Sequence, residues 1–265
     1  MAFGCKDPSL TYLNKYGYNV VKLPRTGIEP LMVLGRDKGL TPIGTLGTVW
    51  KTPGPPPQPG PPRPASAVEG QRTEKLDLSI GLKLLANALA AFGATMPSVE
   101  FAYHKASKVQ FNFVHVVTVA IDPFVVGDYL ATGDLNLNNP FVQRYLDDDD
   151  SQAYIITEVL KSDSVAVTAT DSSGTEIKVD VPAISSVVGA NVSVAPSSEG
   201  SAQITYKGPE AVTFGFKAFE IVYANGRWTV SGVNPDGDLA FAVEPGGGPA
   251  PPMGVVFNAG GLVRL

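Results

Sequence analysis

Side chains able to do chemistry are scarce in this chain. Cys5 is its one cysteine, and His104 and His115 are its two histidines. Neither an internal disulfide nor a Cys-rich metal site can be built from these, and acid–base catalysis has little to draw on. The spacings of a nucleophilic serine (G-x-S-x-G), a phosphate cradle (G-x-x-x-x-G-K-[ST], G-x-G-x-x-G) or a zinc-bound water (H-E-x-x-H) do not occur. Cys5 paired with a histidine would be a nucleophile and base, but Cys5 lies in what reads as a loose leader. The four carboxylates at 147–150 lack the alternating ligands and central glycine of a calcium loop, so they read as a solvated turn. No catalytic residue, metal ligand or resident cofactor is assigned, and an enzyme is not expected.

Cys5 offers chemistry of another kind. In the opening MAFGCK the thiol stands among small and apolar residues beside Lys6, whose charge favours thiolate. Ala2 stands where myristoylation needs glycine, and no apolar leader of a bacterial lipoprotein precedes the cysteine. The modification that fits is a fatty acid in thioester linkage to Cys5; the other reading is an inert free thiol.

The elements that would position such groups are mostly strands. The 265 residues are 44% hydrophobic, enough for a real core, and much of the excess of Gly (28) and Pro (23) falls in two local clusters that mark linkers. No signal peptide and no run of about 20 apolar residues is present, so the chain is expected in the cytosol without a spanning helix. Net charge is -5, yet from Met1 to Lys83 there are 11 Lys and Arg against 6 Asp and Glu. This basic third is suited to an anionic surface, or is plain solvated charge.

The stretch 108–122 (KVQFNFVHVVTVAID) alternates, with Val109, Phe111, Phe113, His115, Val117, Val119 and Ile121 on one side. It predicts one long central strand, of a pattern that also suits a strand laid against lipid. Before it, 8–16 predicts a short helix behind Asp7, 18–23 a strand, 28–34 a second apolar segment, and 41–51 a β-like one. The segment 52–64 (TPGPPPQPGPPRP) predicts an extended spacer or a disordered loop, with a proline-motif ligand as a further use. Residues 72–80 predict a strand and 82–92 (LKLLANALAAF) a helix closed by Gly93. Short helices are expected at 123–130, behind Asp122, and at 141–146. From 153 to 243 the pattern is nearly all strand, including Ile177, Val179 and Val181. Hairpin turns fall at Ser172-Ser173-Gly174 and Asn225-Gly226, so the sheet should be antiparallel.

The end breaks this pattern. Residues 245–252 (PGGGPAPP) read as a hinge, and 253–265 (MGVVFNAGGLVRL) as an apolar tail. Val255, Val256, Phe257, Leu262, Val263 and Leu265 would each gain roughly 1.5–3 kcal/mol on burial, against about 1–2 kcal/mol per residue for ordering the peptide. The tail therefore reads either as an edge strand completing the sheet or as a detachable plug held mainly by its tether.

The segment 12–31 (YLNKYGYNVVKLPRTGIEPL), preceded by an early cysteine, resembles the start of the bacterial gasdermins. The likeness continues in layout through the Pro-rich insertion, the Leu-rich helix, the β-rich half and the short tail, and so covers essentially the whole chain. It implies an α+β fold: a twisted, mainly antiparallel central sheet with several short peripheral helices and a C-terminal peptide docked on the domain. It implies a pore-forming domain at 1–244 (with the spacer at 51–71), a protease-accessible hinge at 245–252 and an autoinhibitory peptide at 253–265. The protein would rest as a cytoplasmic monomer until a caspase-like or other protease removes the peptide. The released domain would then oligomerise with membrane lipids as a large β-barrel pore in the bacterial inner membrane, killing an infected cell in antiphage defence. No nucleic-acid partner is implied. The family's lipidated cysteine maps onto Cys5, as a palmitoyl thioester.

No Lys or Arg lies between Arg227 and Arg264, so a protease specific for basic residues has no site in the hinge. An acidic or apolar residue between Asp238 and Met253 is expected to be read instead: Asp238, Leu239, Phe241, Glu244, Gly248 and Met253 are the candidates. The membrane strands are expected from 154–194, with 41–104 as the other candidate region. Two rival readings are a soluble β-rich lipid-binding carrier whose tail closes a pocket, and an adaptor using the Pro-rich segment.

Overall fold

The structure, a computed structural model, describes residues 13–14, 16–37, 39–65, 75–94, 99–146, 152–197, 202–233, 239–241, 254–257 and 262–265. The expected helix at 8–16 and the acidic run at 147–150 lie largely or wholly outside these residues. The fold is α+β. Besides two-residue strands at Trp50–Lys51, Arg63–Pro64, Leu76–Asp77, Asp134–Leu135 and Glu176–Ile177, its strands in chain order are β1 (Asn19–Arg25), β2 (Met32–Arg36), β3 (Leu40–Thr45), β4 (Lys108–Val114), β5 (Val117–Ala120), β6 (Gln152–Thr170), β7 (Ser193–Pro196), β8 (Gln203–Ala224), β9 (Arg227–Val233), β10 (Leu239–Phe241) and β11 (Leu262–Val263). The helices are α1 (Leu46–Val49), α2 (Leu78–Ala91), α3 (Pro123–Ala131), α4 (Pro140–Leu146) and α5 (Val181–Val188), with a 3-10 turn at Glu100–Tyr103. None of the described helices is long and apolar enough to cross a membrane.

Two strands are the spine of the sheet: β6, 19 residues long, and β8, 22 residues long, paired antiparallel along most of their length. Other strands flank them in three tiers. At one end β6 takes β2 and then β3, while β8 takes β9 and then β10. In the middle tier β6 takes β5 and β8 takes β1. At the far end β6 takes β4 and β8 takes β7.

The far tier is two-faced. Val165, Val167 and Ala169 share a face with Phe111 and Val109 on one neighbour and with Tyr206 and Ile204 on the other, all buried in one core with Leu82, Leu85 and Leu89 of α2. The opposite face carries Ser164, Thr168 and Thr170 beside Gln110, Asn112, Gln203, Thr205 and Lys207. A second core, with Val126 and Leu130 of α3 and Val142 of α4, covers the β2–β3–β9 end.

Several expectations hold. Asp122 caps α3 by accepting the Phe124 N–H at 2.9 Å, and Asn225 and Gly226 take φ of 52° and 77°, the positive values of the tightest hairpin turn. Others need correction. The stretch 108–122 is two strands, broken at His115 (φ 54°) and displaced from the centre of the sheet by β6 and β8. At the break Ser162 Oγ of β6 donates to Val114 O, while β4 and β5 keep one register along β6; the irregularity between Ser162 and Ser164 lies on the β8 side. Of the expected strand at 72–80, residues 72–74 lie outside the described ones, Leu76–Asp77 is a strand bridged to β4, and helix begins at Leu78. Leu76 and Leu78 suit a period of two, but Leu78, Leu82, Leu85 and Leu89 suit 3.6, and the longer pattern prevails. The alternation at Ile177, Val179 and Val181 holds only at Glu176–Ile177, bridged to Thr170 and Ala169 of β6; from Val181 it gives way to α5, because Asp180 accepts the Ala183 N–H at 3.1 Å and Pro182 fits the first turn.

Candidate functional site: the seat of the C-terminal segment

The clearest unusual contact in the chain is the one its end makes with β1 and β8. Both are ordinary apolar strands here; Val20, Val21, Phe214, Phe216 and Ala218 are buried. Tyr18 precedes β1 and Asn19 opens it, and Asn19 is only 1% exposed. A buried amide must find partners, and Asn19 finds them in the tail. Its Nδ2 donates to Val255 O at 2.8 Å, and its Oδ1 accepts the Phe257 N–H at 2.8 Å. Between these, the Val255 N–H donates to Ala218 O at 2.8 Å.

Gly254 makes the entry possible. A Cβ there would stand 3.2 Å from Ala218 O, Gly17 O and Lys217 Cβ alike, so the backbone itself lies against the sheet.

Phe257 then fills an aromatic recess. Its ring meets Tyr154 edge-on at 4.6 Å and leans over Phe216 at 6.3 Å, with the Arg36 guanidinium 6.0 Å from its centroid. Arg36 also donates to Tyr154 Oη at 3.2 Å. Five residues later comes β11, where Leu262 and Val263 pair in parallel with Val20 and Val21. Val263 is buried in a core with Val21, Leu34, Tyr154, Ile156 and Phe216, and Val255, Phe257 and Leu265 pack half-buried against it.

Beside the seat lies a charged group. Tyr18 donates to Glu158 Oε1, Lys217 Nζ lies 3.0 Å from Glu158 Oε2, and the same ammonium sits 4.3 Å from the Tyr18 ring centroid. Burial, then the neighbouring Glu158, pushes the Tyr18 hydroxyl far above its ordinary range, so it stays a donor.

Of the tail residues singled out in sequence, Val255, Phe257, Val263 and Leu265 meet on one patch, Leu262 contributes a paired backbone, and Val256 is half-buried outside that core. Leu239 and Phe241 lie in β10, paired with Val233 and Ser231. Cys5, Asp238, Glu244, Gly248 and Met253, and the hinge at 245–252, lie outside the described residues. Sequence reasoning missed Asn19, Arg36 and Tyr154. Asn19 carries a faint signal, a lone amide at the head of an apolar strand. No group of His, Cys, Asp and Glu able to hold a metal ion occurs among the described residues.

Comparison with known proteins agrees with this architecture. Residues 21–229 match the Bacterial Gasdermin Family. The chain is 38% identical to Gasdermin bGSDM of Vitiosangium sp. over 265 residues, 98% of each protein. It is 33% identical to Gasdermin bGSDM of a Desulfuromonadales bacterium, over 85% of each. The structure of a bacterial gasdermin from Bradyrhizobium tropiciagri shares the fold at a TM-score of 0.63 and 16% identity, covering 84% of this chain and 90% of that one. With its tail folded back on β1 and its sheet built on two long strands, the chain belongs to the bacterial gasdermin family.

Proposed function

We propose that this gasdermin is an autoinhibited pore former whose residues 253–265 are the inhibitor. Membership of the family supports a pore-forming protein in general. The observation that carries the specific reading is the seat of the tail. Among the described residues of the segment, three hydrogen bonds at 254–257, a two-residue parallel bridge and one aromatic anchor hold it, less than an unbroken strand of the same residues would supply. Such a segment stays docked while tethered and leaves once severed, because cutting removes its high effective concentration.

The far tier supports the second half of the reading. Its strands already separate an apolar face from a polar one; with α2 and α5 moved aside, the apolar face suits lipid and the polar face a water-filled lumen. Closure into a barrel would then satisfy every backbone group that an open sheet in lipid could not. The strands proposed for the membrane are β4, β7 and the adjoining parts of β6 and β8, in place of the broader region 154–194.

In this reading a caspase-like or other protease cuts between Asp238 and Met253. Leu239 and Phe241 are paired in β10, so Glu244, Gly248 and Met253 are the better candidates. The freed domain moves from the cytoplasm to the bacterial inner membrane, aided by its basic N-terminal third and a fatty acyl group on Cys5. One acyl chain gives reversible attachment, which suits a trigger. The resulting large homo-oligomer kills the cell in antiphage defence. The gasdermin itself catalyses no step of this.

The test is dye release from vesicles of bacterial-type lipids, using full-length protein with a protease site built into 245–252. Leakage only after cutting is expected. A cut, folded protein that binds one lipid per monomer and releases no dye would replace this reading with a lipid carrier.

A further inference from the structure

The middle tier carries one unbroken row across six chain segments: Arg63, Thr118, Leu160, Gly215, Val20 and Leu262 stand side by side in register. The two ends of this row are the tail, against β1, and the Pro-rich segment, against β5. Each closes an edge that would otherwise present unpaired N–H and C=O groups to any passing strand.

The Pro-rich closure is a strap rather than a loose loop. Arg63 and Pro64 pair antiparallel with Thr118 and Val117. The Gly60 N–H donates to Ala120 O at 2.8 Å, and the Ala65 N–H donates to Val116 O at 2.9 Å. Farther back, Pro56 lies so close to α1 that a Cβ on Gly47 would approach its ring to 3.1 Å. Within 52–64, TPGPPPQPGPPRP, proline stands at 53, 55, 56, 57, 59, 61, 62 and 64. None of these has an N–H, so the strap covers β5 while its own far side offers almost nothing to pair with.

From this arrangement we infer that β5 and β1 are complementary edges for a second copy of this chain, and that the strap guards the β5 edge as the tail guards the β1 edge. The occupant follows from the geometry. The edges lie at opposite ends of one row, so β1 of one copy meets β5 of the next head to tail, a contact that propagates around a ring. Removal of the tail opens only one edge, and a copy joins on both sides only where the strap also lifts. This inference rests on the pore-forming reading in taking self-association as the outcome of cutting, but it concerns which edges meet, and its test reads association apart from leakage.

The strap can be locked. Arg63 and Thr118 face each other across the two strands, so R63C with T118C, with Cys5 kept as it is and the cross-link confirmed by peptide mapping, places a disulfide between strap and β5. The same tail-cut polypeptide is examined oxidised and reduced by sedimentation velocity with lipid nanodiscs, and separately for dye release. Association when reduced and its loss when oxidised are expected. Equal association in both states, or none in either, overturns the inference. Leakage by the cut, unlocked protein is scored separately for the pore-forming reading. A second variant, with Pro55, Pro56, Pro57, Pro59, Pro61 and Pro62 changed to Ser, loosens the strap without a cross-link. After cutting it should associate at roughly tenfold lower concentration, the worth of about two backbone hydrogen bonds. An unchanged midpoint in that folded variant also overturns the inference.

Discussion

Asn19 and Phe257 are joined as two strand residues would be, except that one partner is a side chain: Asn19 Oδ1 accepts the Phe257 N–H at 2.8 Å while Nδ2 of the same amide donates to Val255 O at 2.8 Å. One buried side chain thus reads the backbone of the tail in both directions. It does so whatever side chains the tail carries.

The first prediction concerns the polarity of that amide. Asn19→Ala removes both bonds and should weaken tail docking by about 1–3 kcal/mol. Asn19→Asp keeps the acceptor for Phe257 but turns an oxygen, with a buried charge, on Val255 O, so it should weaken docking more than Ala does. Hydrogen exchange at the Phe257 amide of uncut protein measures this directly. Equal protection in wild type, N19A and N19D would show that the clamp holds nothing.

A second prediction isolates the aromatic recess. Phe257→Ala gives up the edge contact with Tyr154, the tilted contact with Phe216 and the Arg36 guanidinium. Because the ring is half-buried, the expected loss is about 2 kcal/mol, below the range for a fully buried Phe. Uncut F257A should release dye at a measurable rate where wild type does not, and Phe257→Leu should fall between them. Silence from F257A, with normal melting of the body, would place the main hold on β11 instead.

How much of this was legible beforehand depends on range. Asp122, Pro123 and the Asn225-Gly226 turn are fixed by neighbours within four residues, and sequence shows those neighbours directly. The tail was legible as apolar matter at the end of a polar hinge. Its seat was not, because the partners of Asn19 stand more than two hundred residues away, and a lone amide heading an apolar strand does not say what it binds. The break at His115 was hidden for a similar reason: the strand pattern of 108–122 is sound locally, and Ser162 of β6, whose Oγ donates to Val114 O at the break, belongs to another part of the chain. Leu78 misled by fitting two periods at once.

The third prediction follows from the entry at Gly254. Its would-be Cβ faces two carbonyl oxygens and one side-chain carbon, all at 3.2 Å, and the carbonyls belong to backbone that cannot swing aside. Gly254→Ala should cost about 1 kcal/mol of docking and Gly254→Val about 2–3 kcal/mol. The readout is the rate at which a protease added to uncut protein cleaves within 254–265, which should rise in that order. Rates equal to wild type would mean that the tail enters by another path.

The last prediction is a pH dependence beneath the aromatic recess. Glu220 stands opposite Tyr154 and Ser231 in the sheet, and burial holds its carboxyl above the usual range, with the Arg36 guanidinium pulling the other way. An acid raised in the folded state takes up its proton before the unfolded chain does. Its contribution to stability is therefore complete below the unfolded value of 4.5 and is lost as pH rises through the folded value. Glu220→Gln is neutral throughout and should melt above wild type at about pH 7.5, with the gap closing as pH falls toward about 4.5. A gap of constant size across that window would show that Arg36 already neutralises the carboxylate.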